Sequence, residues 1–170
     1  DSASSLDAGD SVTDNFIVTV TDDQNATVTE NMSIALTGLN DRPVIDSGVT
    51  VQVTEDVAIV TDNIVVIEPD QSAILNFALT NPTGNYGVIT VNATTGNWEY
   101  TMIDTMVNPL NNGDQVQDTF TLTVTDDQSA SDTKDLIITI DGVNDASIIS
   151  GTPDVSVNED SAYSFTPTGS

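Results

Sequence analysis

A 47-residue stretch of this chain occurs twice at a fixed spacing. The segment from Asp114 to Asp160 aligns without gaps with the segment from Asp10 to Asp56, at an offset of 104 residues (114 − 10 = 104), and 21 of the 47 positions are identical. Self-similarity at a fixed period is typical of tandem arrays, in which each period is one structural module. The spacing therefore constrains the fold more tightly than the length of 170 residues does.

The repeat predicts three parts. We expect residues 1–45 to be the C-terminal half of a preceding repeat, residues 46–148 a complete repeat, and residues 149–170 the N-terminal strand segment of a following repeat. About 100 residues are enough for one independent hydrophobic core. Because there is no initiator Met and neither end falls at a repeat boundary, we expect the chain to be a window from a longer protein.

Alternating apolar and polar residues predict β-strands throughout, and no stretch has helical periodicity. In the complete repeat the predicted strands are 49–53, 64–67, 74–79, 88–91, 98–101, 119–125 and 136–140, and a hairpin of 14–21 and 33–37 precedes them. Pro43 stiffens the linker between that hairpin and the complete repeat. Seven short strands in one period predict an all-β, immunoglobulin-like β-sandwich.

The charge balance excludes several classes of function. Asp and Glu number 27 against 2 Lys and Arg, which gives a net charge of −25, and Cys and His are absent. We expect no nucleic-acid binding, because that needs basic residues facing phosphates. Thiolate and imidazole catalysis and the usual zinc sites are also excluded. No apolar run is long enough to span a bilayer, so we expect no membrane insertion in this segment.

The acidic residues cluster at the ends of predicted strands. Asp and Asn are ordinary turn residues that bond their own backbone, and this explanation suffices for any one of them. As a set they recur in both copies with almost no basic residues to offset them. Hard cations such as Ca²⁺ take six to eight oxygen ligands from carboxylates, amides and main-chain carbonyls. The pattern therefore predicts calcium as the cofactor.

Strand direction indicates which acids can share an ion. If the chain enters the sandwich at the top and leaves at the bottom, the last strand runs down and its hairpin partner runs up. The turn at Asp126 and the exit linker, residues 141–145, then lie about 20 Å apart, since the seven strand residues between them rise about 3.3 Å each. The predicted upper group is Glu68, Asp70 and Asp126 with Asn40 and Asp41, and the predicted lower group is Glu55, Asp114, Asp141, Asn144 and Asp145.

Three stretches resemble known repeat families: GVITVNATTGNWEYTM, NNGDQVQDTFTLTVTDDQ and IDGVNDAS. They are similar to the VCBS-type and bacterial cadherin-like tandem repeats of large surface adhesins, including RTX-type adhesins exported by type I secretion. The resemblance covers essentially the whole chain. It implies a cadherin-like β-sandwich, calcium between adjacent domains, and a location outside the cell or on a bacterial surface.

The resemblance also implies roles for individual residues. The acid near the end of the first strand falls on Glu55, the acid before the penultimate strand on Asp114 or Asp10, and the next-domain ligands on Glu68-Pro69-Asp70 and Asp126. The linker ligands fall on Asp141, Asn144 and Asp145, or on Asn40 and Asp41. The match has departures: Thr37 stands where the second linker has Asp141, Glu68 replaces an Asp, and no DRE triplet is present.

These inferences favour a non-enzymatic spacer repeat of an extracellular adhesin or matrix fibre, rigidified by calcium and contacting neighbouring repeats of the same chain. Two alternatives stay open. One is a glycan- or protein-binding module using Tyr86 or Trp98, although a Trp in a small sandwich is more often a core residue. The other is a fibre subunit that self-associates because incomplete end segments complete a neighbouring molecule's sandwich by strand addition.

Overall fold

The computed structural model describes residues 6–147, 149–150, 159–160, 162, 166 and 168–169, and these residues form β-strands with one short helix. The strands are β1 Ser11–Thr21, β2 Thr27–Thr37, β3 Val44–Ser47, β4 Thr50–Thr54, β5 Ile59–Asn63, β6 Val65–Ile67, β7 Asn76–Thr80, β8 Gly87–Val91, β9 Asn97–Met102, β10 Gln115–Thr125, β11 Ser131–Asp141, β12 Ile149–Ser150 and β13 Thr168–Gly169. The helix, α1, is Asp104–Val107. In this described part, no helix has the length and apolar character needed to cross a membrane.

Strands β3 to β11 form a β-sandwich. One sheet has the order β4-β11-β10-β7, a second has the order β5-β9-β8, and β3 pairs with β6. Strand β4 runs parallel to β11, with Ile137 opposite Thr50 and Asp141 opposite Thr54, whereas the other pairings within these sheets are antiparallel. The expectation of an all-β, immunoglobulin- or cadherin-like sandwich is confirmed. All seven strands predicted for the complete repeat are present, and β3 and β5 are additional.

The core lies between the two larger sheets and is built from the alternating apolar residues. Trp98 and Tyr100 from β9 pack there with residues of the β10–β11 hairpin. Trp98 is 2% exposed, and its indole Nε1 donates to the carbonyl of Gly48 at 3.1 Å. Trp98 is thus a core residue, and its ring face is not available to a ligand.

The linker between the first hairpin and the sandwich is fixed by polar contacts to β11. Asp132 accepts hydrogen bonds from Ile45 N at 2.9 Å and from Arg42 at 3.4 Å. Lys134 Nζ donates to the carbonyl of Ile45 at 3.0 Å. The two basic residues of the chain therefore hold the linker, through Arg42, and strand β3 after it, through Lys134.

Candidate functional site

The top of the sandwich brings together five oxygen-rich residues from three segments: Asn40 and Asp41 from the linker, Glu68 and Asp70 from the loop after β6, and Asp126 from the β10–β11 turn. We call them the upper cluster. Asn40 Nδ2 donates to Asp126 Oδ2 at 3.0 Å, and Asp41 N donates to Asp70 Oδ2 at 2.8 Å. These contacts join the linker to the sandwich through residues that are 86 and 29 positions apart in the chain.

Several oxygens of the upper cluster are buried without a hydrogen-bond partner. Within the described residues, Asn40 Oδ1, Glu68 Oε2 and Asp70 Oδ1 accept no hydrogen bond, and Asp70 is only 4% exposed. A buried polar atom left unpaired costs about 1–3 kcal/mol, and more when it is charged. Carboxylate and amide oxygens are the ligand types that hard cations take.

Asp118 is a buried carboxylate that is paired by hydrogen bonds from the protein itself. Asp118 is 2% exposed, and it accepts hydrogen bonds from Tyr100 Oη at 2.7 Å, Tyr86 N at 3.0 Å and Asn85 N at 2.8 Å. Burial, followed by this bond to the carboxylate, raises the pKa of Tyr100. Asp118 is fully paired by the protein itself, whereas Asp70 is not.

The electrostatics of the upper cluster disfavour charge on Glu68. Its pKa is raised above the usual Glu value, first by burial and then by the carboxylates of Asp70, Asp126 and Asp41, while a hydrogen bond from Asp70 N acts in the opposite direction. The chain has only two basic residues, and both are used at the linker. The cluster is therefore a concentration of negative charge that the protein's own cations do not neutralise.

The carboxylates of the upper cluster partly face backbone amides. Glu68 Oε1 accepts from Asp70 N at 3.1 Å, and Asp126 Oδ1 accepts from Gln128 N at 2.9 Å and Ala130 N at 2.8 Å. Among the described residues, no group of three or more His, Cys, Asp or Glu side chains is arranged as a metal site. The cluster instead combines carboxylates with the Asn40 amide, so an ion would draw on mixed oxygen ligands.

A cavity of about 260 Å³ adjoins the upper cluster and is lined by four acids, Asp7, Asp10, Asp70 and Asp127. Asp7 accepts hydrogen bonds from Gln71 N at 2.7 Å and Ser72 N at 3.1 Å. Its pKa is lowered, most strongly by the side chain of Ser72. Asp10 was predicted as a candidate ligand, but Asp7 and Asp127 were not.

The lower group is centred on Glu55, which is 5% exposed. Its Oε1 accepts from Val143 N at 2.6 Å, and its own backbone N donates to the carbonyl of Asp141 at 3.1 Å. Its Oε2 is buried and, within the described part of the chain, without a partner. Glu55 thus joins the end of β4 to the exit linker, and its Oε2 has no partner among the described residues.

The other predicted lower residues have local partners at the surface. Asp141 accepts from Gln52 at 2.6 Å and Gln115 at 2.7 Å, and Asp114 accepts from the backbone and side chain of Asn111 at 2.8 and 3.1 Å. These hydrogen bonds lower the pKa of both acids. Asn144 donates to the carbonyl of Asp145, and both residues are exposed. The structure therefore gathers the upper group more closely than the lower one.

The chain is similar to known proteins both in sequence and in fold. The family model of the bacterial cadherin-like domain matches residues 40–142. No curated protein matches the sequence. Among solved structures, the chain is similar to Protocadherin Gamma B7 extracellular cadherin domains 1–4, with a TM-score of 0.53 and 19% identity over 88% of this chain and 37% of that one.

Two further cadherin structures are similar. Protocadherin Gamma B2 extracellular cadherin domains 1–5 match with a TM-score of 0.51 and 14% identity, over 89% of this chain and 30% of that one. Human CDH23 EC21–23 matches with a TM-score of 0.50 and 13% identity, over 92% of this chain and 53% of that one. The chain spans only about a third of the first two proteins' length. At these identities the likeness establishes the fold alone.

Proposed function

Because the chain belongs to the bacterial cadherin-like domain family, we propose that it is a non-enzymatic spacer segment of an extracellular bacterial adhesin or matrix fibre, rigidified by calcium between its repeats. No enzymatic family is indicated by the comparisons, and cadherin-like domains are typically extracellular adhesion or spacer modules. A VCBS-type or RTX-type adhesin exported by type I secretion is the context that we propose.

We propose the same division into repeats that the 104-residue period predicts: residues 1–45, 46–148 and 149–170. Two observations support it. The β1–β2 hairpin has the strand lengths of the β10–β11 hairpin, and the family match begins at residue 40, close to the proposed start of the complete repeat. The upper cluster then lies at a junction between two repeats.

The observation that carries the calcium proposal is the set of unpaired, buried oxygens of Asn40, Glu68 and Asp70 in a cluster without basic residues. These three residues with Asp10, Asp41 and Asp126 would hold the ion, and Glu55, Asp114, Asp141, Asn144 and Asp145 are the proposed ligands of the lower junction. Bound calcium supplies positive charge and coordination positions for six to eight oxygens. These residues come from both sides of the linker, so an ion bound to them would restrict the angle between the repeats.

Thermal unfolding with calcium and with chelator tests this proposal. A ligand that binds only the folded state at about 100 times its Kd stabilises that state by about 2.7 kcal/mol. We expect calcium to raise the unfolding temperature of the wild-type chain. We expect Asp126→Asn to lose most of that increase, because the amide keeps the turn hydrogen bonds of Oδ1 but removes the charge and replaces Oδ2, which accepts from Asn40, with a donor.

Asp22→Asn is the matched control. Asp22 Oδ1 accepts from Gln24 N at 2.9 Å and Ala26 N at 2.8 Å, which is the same turn 104 residues earlier (126 − 22 = 104) at the far tip of the β1–β2 hairpin. We expect this variant to keep the full calcium effect. An unfolding temperature that chelation leaves unchanged, or equal losses in the two variants, would contradict the proposal.

The glycan-binding alternative receives less support. Trp98 is buried in the core, and Tyr86 is half-buried and packs against it. A stacking platform needs an exposed aromatic face. The spacer function therefore accounts better for the placement of the aromatic residues and of the acids.

A further inference from the structure

Asn112 and Gly113 form the centre of an exposed turn that leads into β10. The turn is closed by Asp114 N, which donates to the carbonyl of Asn111 at 2.8 Å. Gly113 has a φ of +97°, and a positive φ at the third residue is typical of a type II turn. Both central residues are exposed, so solvent reaches the peptide bond between them.

An Asn side chain can react with the backbone nitrogen of the residue that follows it. That nitrogen attacks the side-chain carbon Cγ after losing its proton, a C–N bond forms, and the side-chain nitrogen takes up a proton and leaves as ammonia. The product is a five-membered succinimide ring. The reaction is favoured when the following residue is Gly, which has no Cβ and turns freely. It is also favoured when the attacking N–H is not held in a hydrogen bond.

Asn112 meets both conditions. It is the one Asn in the sequence that precedes Gly. Among the described residues, Gly113 N donates no backbone hydrogen bond. A Cβ built on Gly113 would meet no atom within 4 Å, so the space around this residue is open.

Other asparagines of the described chain are held back by the fold. Ala26 N, which follows Asn25, donates to Asp22 Oδ1 at 2.8 Å and has to break that bond before it can attack. Asn92 also precedes an Ala, but its Oδ1 accepts from the backbone amides of Thr94 and Thr95. The asparagines whose next amide donates a hydrogen bond are Asn25, Asn40, Asn63, Asn76 and Asn85. Asn81 and Asn108 precede Pro, which has no N–H.

The one Asp–Gly pair of the chain, Asp141-Gly142, lies beside this turn and is held as well. An Asp forms the same ring by losing water. Here Gly142 N donates to the carbonyl of Asp114 at 2.9 Å, and the Asp141 carboxylate accepts from Gln52 and Gln115. A following Gly is thus common to both pairs, and the free N–H distinguishes Asn112.

We propose that Asn112 is a site of spontaneous deamidation. Water opens the succinimide by adding to one of its two carbonyl carbons and breaking the C–N bond there. Opening at the side-chain carbonyl gives an aspartate, and opening at the main-chain carbonyl gives an isoaspartate, whose backbone runs through the former side chain. Either product adds one negative charge, and isoaspartate also adds one methylene to the backbone of the turn.

The modification changes the surroundings of Asp114. Asp114 Oδ2 accepts from Asn111 N at 2.8 Å and from Asn111 Nδ2 at 3.1 Å. An extra methylene between these two residues lengthens the turn, so isoaspartate is expected to weaken both contacts. Asn112 also lines a cavity of about 220 Å³ between the loop 108–112 and the exit linker, where a new carboxylate would share the wall with Asp145.

The equivalent turn of the preceding copy shows that the fold does not need Asn here. Asp10 N donates to the carbonyl of Asp7 at 2.9 Å, and Gly9 has a φ of +90°, but the residue equivalent to Asn112 is Ala8. Ala8 has no side-chain amide and cannot form a succinimide. Asn112→Ala is therefore a variant that is expected to fold and to resist the modification.

Peptide mapping by mass spectrometry during incubation at mildly alkaline pH in chelator tests the proposal without depending on calcium. The peptide that contains Asn112 is expected to convert to two acidic products, and enzymatic methylation specific for isoaspartate is expected to label one of them. Conversion should accelerate with pH, because the attacking N–H has to lose its proton. It should be complete before Asn25 or Asn92 reacts detectably. An unchanged Asn112, or equal rates at the three asparagines, would overturn the proposal.

Three variants connect the chemistry to its effect on stability. Gly113→Ala is expected to lose most of the conversion, because the added Cβ shields the nitrogen while the surrounding space still accommodates it. The unfolding temperature of the wild type is expected to fall during incubation, and that of Asn112→Ala to stay constant. Asn112→Asp carries the charge without the methylene and should be more stable than the isoaspartate form. Conversion of Gly113→Ala at the wild-type rate, or an equal fall for Asn112→Ala, would refute the assignment.

Discussion

At the scale of single residues, the same acid serves two purposes at the ends of strands. Asp126 uses Oδ1 to close the β10–β11 turn and Oδ2 to meet Asn40, whereas Asp22 closes the equivalent turn without reaching a cluster. Turn chemistry therefore explains why an Asp occurs at both positions. Within the described residues, Asp126 is the member of this pair that contacts the upper cluster.

Glu68→Gln is expected to have opposite effects with and without calcium. In chelator the neutral amide avoids the cost of burying a charge and the repulsion from neighbouring carboxylates, which together raise the pKa of Glu68, so the unfolding temperature should increase. With calcium the variant lacks a ligand, so its unfolding temperature should fall below that of the wild type. Calorimetry of both proteins under both conditions measures this reversal, and shifts of the same sign in both conditions would contradict it.

The pH dependence of the metal-free protein follows from the same group. A raised pKa means that the folded state holds a proton more tightly than the unfolded state does, so the contribution of Glu68 to stability falls as pH rises above its usual value of 4.5. The advantage of Glu68→Gln in chelator should therefore grow as pH rises through that window. Asp7, Asp114 and Asp141 have lowered pKa values, so their contributions are lost instead as pH falls.

At the scale of elements, Gly48 separates β3 from β4 and permits the first strand of the sandwich to change sheets. Its φ is +82°, and a Cβ at this position would overlap the carbonyl oxygen of Asn63. Gly113 also has a positive φ, +97°, but a Cβ there would meet nothing within 4 Å. The two glycines share the backbone conformation and differ in the space around them.

We expect Gly48→Ala to destabilise the sandwich more than Gly113→Ala. Both variants should lose about 1–2 kcal/mol to the left-handed backbone conformation. Gly48→Ala should lose about 1–3 kcal/mol more from overpacking against the β5–β6 connection. Urea unfolding of the two variants measures the difference, and equal losses would show that the contact with Asn63 relaxes without cost.

The strands that alternation could predict are those whose apolar residues enter the core. Strands β4, β10 and β11 were predicted from periodicity because Val, Leu and Ile recur at every second position. Strands β3 and β5 were not, since β3 is a short segment beside Pro43 and Gly48 and β5 is mostly polar; pairing with β6 and β9 makes them strands. Such pairing is tertiary and leaves no periodic pattern.

Strand direction was sufficient to predict which residues are grouped in the upper cluster. The grouping of Glu68, Asp70 and Asp126 with the linker needed only the up-and-down course of the strands, and these side chains do lie together. Asp7 and Asp132 could not be inferred, because their partners are backbone amides of segments far away in sequence. A sequence pattern does not show which backbone amide a loop places within hydrogen-bond distance of an acid.

At the scale of the whole molecule, two kinds of contact join the first hairpin to the sandwich. A clamp of Arg42, Lys134 and Asp132 fixes the linker by hydrogen bonds that need no ion. The upper cluster adds hydrogen bonds from Asn40 to Asp126 and from Asp41 N to Asp70, but its carboxylates also repel one another. Under the proposed function, bound calcium would remove this repulsion and strengthen the contacts on this side of the junction.

We propose that calcium stiffens this junction, and the spread of distances across the junction would show whether it does. The chain has no Cys, so spin labels can be placed specifically with Gln24→Cys at the hairpin tip and Thr80→Cys on β7. Pulsed electron resonance is predicted to give a broad distance distribution in chelator and a narrow one with calcium, and Asp126→Asn is predicted to stay broad in both. A wild-type distribution of the same width with and without calcium would contradict the account.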